Sequence, residues 1–379
     1  MKHVAMLIPT LDRIGGAEGQ AMLLARGLRA RGWRVSVIAL TGNGGSAASE
    51  LAAADIGFLS LEMRKGLDDP RGWIRLHRWL RRERPEILHA HLPHAAWMAR
   101  WSRLAAPVRV VIDTIHTSST GTVGRRVGYR WSRRLPDRVT AVGEGVRESY
   151  LAARMVTAEQ TRVIPNGVDT ELWRPDPEAR SSLRGELGYK DEFLWFAAGR
   201  LEPVKDYETM LRAFAQTPKN SCLTIAGNGP LEDLLRKLAS DLEIAQRVRF
   251  VGFVPDVRWW MQAADSFVLS SRWEGLPMGL IEAAACGLPA VATDVLGSRE
   301  VISDGETGWL APAGSPTALA EKMHLAMELA VEERSMMGER ARRRAVERYS
   351  LDHVLDRWES LYGELLEQNP LPRRWSRGR

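Results

Sequence analysis

The segment 266–293 constrains the fold of this 379-residue chain more than any other stretch. It begins with the apolar run Ser266–Leu269, passes through a loop rich in glycine and proline, continues into an alanine-rich stretch, and ends in a second apolar run, Ala290–Thr293. This order predicts a strand, a loop, a helix and a strand. Two strands joined by a crossover helix form the basic unit of a parallel sheet that is covered by helices.

The loop and the start of the predicted helix have features suited to a ligand that carries both phosphate and sugar. Gly275 and Gly279 lie where the helix begins, and backbone N–H groups there have no partner inside the helix, which suits them to an anion such as a diphosphate. Glu274 lies on the loop, and Glu282 follows eight positions later on the helix. Carboxylates accept hydrogen bonds from hydroxyl groups and repel phosphate, so this pair suits the sugar-like parts of a ligand. These residues therefore suggest a sugar nucleotide.

The same stretch resembles a known family signature. The spacing of Glu274 and Glu282, with Gly-Leu-Pro between them and Gly287-Leu288-Pro289 after them, is similar to the donor-binding motif of retaining GT-B glycosyltransferases of glycosyltransferase family 4. Two glutamates at this spacing are common by chance, and the surrounding strand, glycines and prolines make the pattern specific. The resemblance implies a GT-B fold, in which two Rossmann-like, doubly wound α/β domains face each other across a cleft.

The resemblance also implies which residues bind the donor. In this family a Gly-Arg…Lys element before a helix binds the donor phosphates, which points to Arg200 and Lys205; without the resemblance these would be two cations on an exposed basic turn. The nucleotide base would lie near the strand exit at Phe253. The donor-binding residues implied in this way are Gly15, Gly16, Arg200, Lys205, Gly227, Phe253, Val254, Glu274, Gly275, Met278, Gly279, Leu280 and Glu282.

The first half of the chain begins with another strand, glycine loop and helix. Gly15-Gly16-Ala17-Glu18 does not match the G-x-G-x-x-G dinucleotide motif, and by itself it indicates only a tight turn. The resembled family has a Gly-Gly-x-Glu element at this place, which implies a loop that faces the donor phosphates. His116 follows a long apolar strand, and open α/β sheets bind ligands at the carboxyl ends of their strands. The candidate catalytic residues are therefore Arg200, Lys205, Glu274 and His116, with a purely structural role as the alternative for His116.

The domain organisation follows from a break near the middle of the chain. Asn166-Gly167 is a turn signal, and the stretch 169–177 is polar and interrupted by proline, as in an interdomain linker. We expect an acceptor-binding Rossmann-like domain over residues 1–168 and a nucleotide-sugar-binding one over residues 178–350. The resemblance implies that the last helix, about 351–368, crosses back to the first domain. With 45% hydrophobic residues the chain can bury two cores.

Positive charge is concentrated in the first half. Residues 1–185 carry 29 Lys and Arg against 18 Asp and Glu, whereas residues 186–379 carry 24 against 29. Residues 71–138 alone have 15 basic and 4 acidic side chains, and they include Trp73, Trp79, Trp97, Trp101 and Trp131. Tryptophan beside arginine suits the headgroup region of an anionic membrane. The alternative is that the helix over 71–84 buries its tryptophans and shows only a solvated basic face.

The expected location and cofactor requirement follow from sequence signals that the chain does not contain. No apolar run reaches the roughly 18 residues of a membrane span, and residues 1–10 form a strand pattern rather than a signal peptide. We expect a cytoplasmic protein, with a peripheral position on the inner face of the cell membrane as a further hypothesis. The chain has no D-x-D motif suitably placed at a strand end, so we expect neither a metal ion nor another cofactor. The basic stretch 370–379 predicts a mobile tail.

The activity that the resemblance implies is sugar transfer from a UDP- or GDP-linked donor to a hydroxyl group of a glycan or lipid-linked acceptor. Family membership further implies retention of the anomeric configuration and a place in bacterial cell-surface polysaccharide or glycolipid synthesis. Three alternatives stay open: a sugar-nucleotide epimerase on the same scaffold, a non-catalytic subunit of this fold, and a nucleic-acid binder. The last rests on arginines alone, because the chain has no glycine-aromatic RNA motif, and we expect no nucleic-acid partner.

Overall fold

The computed structural model describes residues 1–12, 15–64, 69–106 and 108–370. The expected tail 370–379 therefore lies outside the described residues, apart from Pro370. The chain forms two compact units, the first made of Met1–Gly167 with the segment that begins at Leu351, and the second made of Val168–Ser350. Each unit contains one parallel β-sheet flanked by helices. This confirms the expected α/β class of two Rossmann-like domains.

The first unit alternates strands and helices along the chain. Its described strands are β1 His3–Thr10, β2 Arg34–Thr41, β3 Gly57–Ser60, β4 Ile87–His91, β5 Val110–Ile115, β6 Arg138–Ala141 and β7 Thr161–Val163. Its helices are α1 Gly16–Ala30, α2 Gly45–Ala53, α3 Pro70–Glu83, α4 Pro93–Ala105, α5 Val123–Ser132, α6 Glu144–Ala152 and, from the end of the chain, α15 Leu351–Gln368. The sheet order is β3-β2-β1-β4-β5-β6-β7, with every pairing parallel.

The second unit repeats this plan. Its described strands are β8 Phe193–Ala198, β9 Ser221–Ala226, β10 Val248–Gly252, β11 Ser266–Leu269, β12 Ala290–Thr293 and β13 Gly308–Ala311. Its helices are α7 Pro177–Glu186, α8 Tyr207–Phe214, α9 Glu232–Asp241, α10 Arg258–Ala263, α11 Met278–Ala285, α12 Leu296–Val301, α13 Pro316–Glu328 and α14 Val331–Tyr349, with 3₁₀ turns at Pro203–Lys205 and Ala245–Arg247. The sheet order is β10-β9-β8-β11-β12-β13.

Both sheets contain a position where the chain reverses its direction of travel across the sheet. In the first unit this position lies between β1 and β4, and in the second it lies between β8 and β11. Loops on the two sides of such a switch point diverge, which opens a crevice at the carboxyl ends of the strands. Arg200 and Lys205 follow β8, and Glu274 follows β11, so the fold places these predicted residues on the loops that border the switch point.

Helix α15 completes the core of the first unit. Trp358 and Tyr362 are buried in one core cluster with side chains of α1 and β2, and the Tyr362 ring packs against Trp33, which lies between α1 and β2. Tyr362 also lies 2.7 Å from His89 Nδ1, and His89 Nε2 lies 2.6 Å from Thr114 Oγ1. Because both ring nitrogens of His89 are used inside the core, this histidine ties α15 to the sheet and is not available to a ligand.

A buried ion pair anchors α5 to the sheet. The guanidinium of Arg100 on α4 donates to Asp113 Oδ2 at 2.8 Å and to Ser132 Oγ at 2.9 Å, and the ring of Tyr129 lies 4.2 Å from the guanidinium carbon. Arg100 and Asp113 are almost completely inaccessible to solvent. A buried charge without its partner is strongly destabilising, so this pair holds α4, α5 and β5 in one arrangement.

We therefore predict that Arg100→Met lowers the free energy of unfolding by about 3–5 kcal/mol, because it leaves the Asp113 carboxylate buried and unpaired. The matched control is Arg26→Met on α1 of the same unit, because Arg26 and its partner Glu50 are both exposed to solvent. This control should lose about 1 kcal/mol or less. Urea denaturation measures both values, and equal losses in the two variants would contradict the role given to the buried pair.

Candidate active site

The loops that follow β8 and β11 meet through a lysine–glutamate pair. Lys205 Nζ lies 2.6 Å from Glu274 Oε1, and Ser271 Oγ donates to the same oxygen at 2.6 Å. Both charged side chains are mostly buried. The sequence predicted Lys205 for phosphate and Glu274 for a sugar, and the structure brings these two residues into direct contact.

Backbone hydrogen bonds hold the same two loops together. The Arg272 N–H donates to the Val204 carbonyl at 2.8 Å, and Ser270 Oγ donates to the Lys205 carbonyl at 2.8 Å. The Arg272 guanidinium also contacts Asp206 Oδ2 at 3.1 Å. These contacts fix the position of the β8 loop relative to the β11 loop. Lys205 and Glu274 are therefore held next to each other by the surrounding backbone and not only by their own ion pair.

The loop that follows β9 is joined to the β8 loop by close backbone packing. Gly227 has φ +139°, and a Cβ atom at this position would collide with the carbonyl oxygen of Gly199. The Gly199 N–H donates to Ala226 O, and the Leu201 N–H donates to Asn228 O, both at 2.9 Å. Glycine at 227 is thus explained by the close packing of two backbone segments. Its predicted contact with the donor stays a prediction.

Helix α11 begins with fewer open amides than the sequence predicted. The Leu280 N–H donates to the Pro277 carbonyl at 3.1 Å, so the expectation that this amide is open to a diphosphate is wrong for this conformation. Met278 and Gly279 have no backbone acceptor among the described residues. A Cβ on Gly279 would lie 3.0 Å from the ring of Phe267, so the helix start is pressed against β11. Two amides, not three, point out of the helix.

Glu282 lies on α11 in a poorly solvated position. Its side chain is half-buried, and removal from water raises the pKa of its carboxyl to about 7. No hydrogen bond or ion pair of this carboxylate occurs within the described ranges. A carboxyl with this pKa changes between neutral and charged forms near neutral pH, which makes its hydrogen-bonding role dependent on pH.

The remaining predicted residues of the second unit are solvent-facing or structural. Arg200 is 76% exposed and pairs with Glu202 at 2.9 Å, without contact to Lys205 or Glu274 in the part of the chain that the structure describes. Phe253 is 71% exposed at the exit of β10, and Val254 is half-buried. A ring that exposed can stack on a nucleotide base without displacing any protein contact. Gly275 is buried within the loop.

The predicted residues of the first unit lie at the corresponding ends of its strands. Gly15 is the N-terminal cap of α1 and Gly16 is its first residue, while residues 13 and 14 lie outside the described residues. His116 directly follows β5, and its Nε2 lies 3.1 Å from His91 Nδ1. Burial lowers the pKa of His116 to about 4, so the ring is neutral at pH 7. Its Nδ1 is buried without a partner among the described atoms, which leaves one nitrogen for a hydrogen bond.

Three further residues contribute to the site and were not identified from the sequence. Ser271 supports Glu274, and the Tyr207 hydroxyl lies 3.2 Å from the Gly199 carbonyl. Burial and the nearby Glu274 carboxylate raise the pKa of the Tyr207 phenol. Gly297 packs against the loop at Glu274, where a Cβ would lie 2.7 Å from the Gly275 carbonyl. Their contacts depend on which strands become neighbours, and no local pattern marks them.

A separate cavity lies at the opposite end of the second sheet. It has a volume of about 560 Å³ and borders Phe193 at the start of β8. Arg180, Arg184 and Arg334 line it, but all three contact the Asp265 carboxylate. Ligands of open α/β sheets bind at the carboxyl ends of the strands, so the loops around Lys205 are a better candidate than this cavity. Within the described ranges, no group of three or more potential metal-ligating side chains is found.

Comparison with known proteins identifies the class and the family. The family model described as Glycosyl transferases group 1 matches residues 180–344, and the model described as Glycosyltransferase Family 4 matches residues 14–172. The structure resembles the crystal structure of Anabaena HepE in complex with UDP and glucose, with a TM-score of 0.85 and 21% identity over 95% of this chain and 99% of the other. The two units therefore form a glycosyltransferase fold of the GT-B class.

Curated relatives place the chain more narrowly. The phosphatidyl-myo-inositol mannosyltransferase of Mycobacterium leprae is 30% identical over 336 residues, covering 85% of this chain and 86% of the relative. The UDP-Gal:alpha-D-GlcNAc-diphosphoundecaprenol alpha-1,3-galactosyltransferase of Escherichia coli is 27% identical over 258 residues, covering 64% and 67%. The chain belongs to glycosyltransferase family 4, as the sequence motif predicted.

The pKa of Glu282 leads to a prediction about donor binding. If the charged carboxylate accepts hydrogen bonds from ribose hydroxyls, affinity for an intact nucleotide-sugar should rise about tenfold between pH 6 and pH 8, in step with the charged fraction. Calorimetry with the nucleotide-sugar measures this, since its diphosphate is esterified at both ends and has no ionisation in this range. Glu282→Gln should abolish the pH dependence, whereas the exposed control Glu321→Gln should retain it.

The same shift has a consequence for stability in the absence of donor. The pKa of Glu282 is higher in the folded chain, about 7, than its ordinary value of 4.5, so the folded state binds more protons between these values. Stability from this group is therefore present at low pH and lost as the pH rises through about 7. Glu282→Gln should stabilise the protein at pH 8 but not at pH 4.5. A pH slope of binding and stability that is unchanged in this variant would contradict both expectations.

Proposed function

We propose that this glycosyltransferase moves a sugar from a nucleotide-sugar to a hydroxyl group of its acceptor with retention of the anomeric configuration. Retention rests on family membership alone. The observation that carries the donor part of the proposal is the meeting of Lys205 and Glu274 at the switch point, close in sequence to the two open amides of Met278 and Gly279. A cation and two amides suit a diphosphate, and a carboxylate suits sugar hydroxyls. Together they match the two halves of a nucleotide-sugar.

In the proposed mechanism the bond between the anomeric carbon and the diphosphate oxygen breaks while the acceptor oxygen bonds to the same carbon. The diphosphate oxygen takes the acceptor proton on the same face of the sugar. Lys205, Arg200 and the two amides stabilise the charge that develops on the leaving diphosphate. Glu274 positions the donor sugar, and its contacts with Lys205 and Ser271 hold it at the end of β11.

Donor and acceptor are proposed by class. The Escherichia coli relative is named for a UDP-linked donor and a lipid diphosphate acceptor, and the Mycobacterium leprae relative is named for mannosyl transfer to a phosphatidylinositol. We therefore propose a UDP- or GDP-linked hexose and a glycan or lipid-linked acceptor. The second unit would bind the donor, the first unit would bind the acceptor through a surface that includes His116, and no metal ion would be needed. A cytoplasmic location, with the protein peripheral on the membrane, is part of the same proposal.

The deciding experiment measures release of free nucleotide from a panel of UDP- and GDP-sugars, with and without glycan and lipid-linked acceptors. We expect acceptor-dependent release with one donor, a product with retained configuration by NMR, and unchanged rates in EDTA. Formation of an altered nucleotide-sugar without acceptor would indicate an epimerase. Absence of any turnover with a bound donor would indicate a non-catalytic subunit, and a complete loss of activity in EDTA that metal restores would refute metal independence.

We predict that Arg200→Ala and Lys205→Ala each lower turnover by about 100-fold or more, because each removes a charge that stabilises the leaving diphosphate. Lys219→Ala, which removes an exposed cation of the same unit, should leave turnover unchanged. Circular dichroism and the unfolding midpoint serve to check that the variants are folded. Near-normal turnover in both active-site variants would refute the phosphate role.

A further inference from the structure

The exposed apolar side chains of the first unit are gathered in one helix layer. Apart from Met1, the large apolar residues that are strongly exposed among the described residues of this unit all lie on α3, α4 or α5; they are Ile74, Leu104, Val123, Val127 and Trp131. Helix α4 packs against both α3 and α5, so the three helices form a continuous layer. Clustering of exposed apolar side chains marks an interaction surface rather than ordinary scatter.

Helix α5 has two faces with different functions. Its inner face is anchored by Tyr129 and Ser132, which contact the buried Arg100, and by Gly128, where a Cβ would lie 2.6 Å from the ring of Trp97. Its outer face carries Val123, Val127 and Trp131, spaced four residues apart so that they form a stripe. Trp131 is 84% exposed, although the helix beneath it is firmly packed. We call this stripe the α5 outer face.

Arginines surround the α5 outer face. The helices α3, α4 and α5 together contain ten arginines and a single carboxylate, Glu83, although Arg100 is buried and Arg75 and Arg103 pair with carboxylates outside these helices. Arg126, and the exposed Arg133 and Arg134 just after the helix, form no ion pair among the described residues. At the end of α1 in the same unit, by contrast, the C-terminal cap residue Arg31 contacts three carboxylates of α15. The positive charge around α5 is therefore left for a partner outside the chain.

The tryptophans of α3 do not contribute to this surface as the sequence suggested they would. Trp79 is buried and its ring lies 5.9 Å from that of His3, and Trp73 is half-buried beside His77. Helix α3 contributes arginines and Ile74 to the layer, while Trp79 belongs to the interior. Among the residues described, no helix has both the length and the hydrophobicity of a membrane span.

We propose that the α5 outer face docks the protein on an anionic membrane surface. Val123, Val127 and Trp131 enter the headgroup region, and Arg126, Arg133 and Arg134 pair with lipid phosphates. A second copy of the chain would present the same arginines and be repelled, and a nucleic acid would use the charge but not the apolar stripe. The combination of both features selects a bilayer with anionic lipid. This surface does not depend on the proposed sugar chemistry, since docking needs no donor.

The test is flotation of the full chain with vesicles of phosphatidylcholine, with and without phosphatidylglycerol, at low and high salt. We expect binding only to the anionic vesicles, weakened by salt because the arginine contacts are screened. The triple variant R126Q/R133Q/R134Q should reduce partition of the protein into anionic vesicles by about 100-fold. Each basic residue near an anionic surface contributes a similar increment of binding free energy, and this variant removes three of them. The triple variant V123S/V127S/W131S should reduce it more than tenfold while retaining all the arginines.

Matched controls come from the second unit. L234S/L325S/V331S removes three exposed apolar side chains, and K219Q/K237Q/R343Q removes three positive charges, so each control matches one test variant in the number of apolar or charged groups removed. Both controls should bind vesicles as the parent chain does. Circular dichroism and the unfolding midpoint should be equal in all variants, which separates loss of docking from loss of fold. No binding to anionic vesicles at low salt, equal losses in test and control variants, or binding of duplex RNA in place of vesicles would overturn the proposal.

Discussion

The arrangement of the site depends on hydrogen bonds that join the loops at the carboxyl ends of β8, β9 and β11. Gly199 and Gly227 allow two backbones to approach each other more closely than any side chain would permit, and Val204 and Arg272 continue this seam on the other side of β8. Because these contacts are mostly between backbone atoms, they do not depend on the charge state of the side chains. Lys205 and Glu274 are therefore held in place before a ligand arrives, which is the condition for electrostatic stabilisation of a leaving group.

The first unit depends on a different constraint, the burial of an ion pair. Arg100 and Asp113 can remain charged inside the protein only because each satisfies the other and Ser132 accepts a further hydrogen bond. The same pair determines the side of α5 that faces inward. The stripe that includes Trp131 must then face outward, so an interior contact decides the character of a surface on the far side of the helix.

Much of the site was predictable because its residues belong to a local pattern. A strand followed by glycine, proline and an alanine-rich helix identified the loop of Glu274, and the family motif added Arg200 and Lys205 at another strand end. The same approach overestimated the number of open amides at the start of α11. The Leu280 N–H donates to the Pro277 carbonyl, and the sequence pattern does not show this contact.

The sequence by itself determined the two series of strands and helices, the family, and the strand ends that carry the candidate residues, because hydrophobic periodicity and glycine loops are local properties. Only the tertiary structure decided that Lys205 pairs with Glu274, that Gly227 is required by the Gly199 carbonyl, and that Trp79 is buried while Trp131 is exposed. Each of these outcomes depends on which strands and helices become neighbours. Side chains far apart in the chain meet only after both sheets have formed, so no short pattern of residues contains that information.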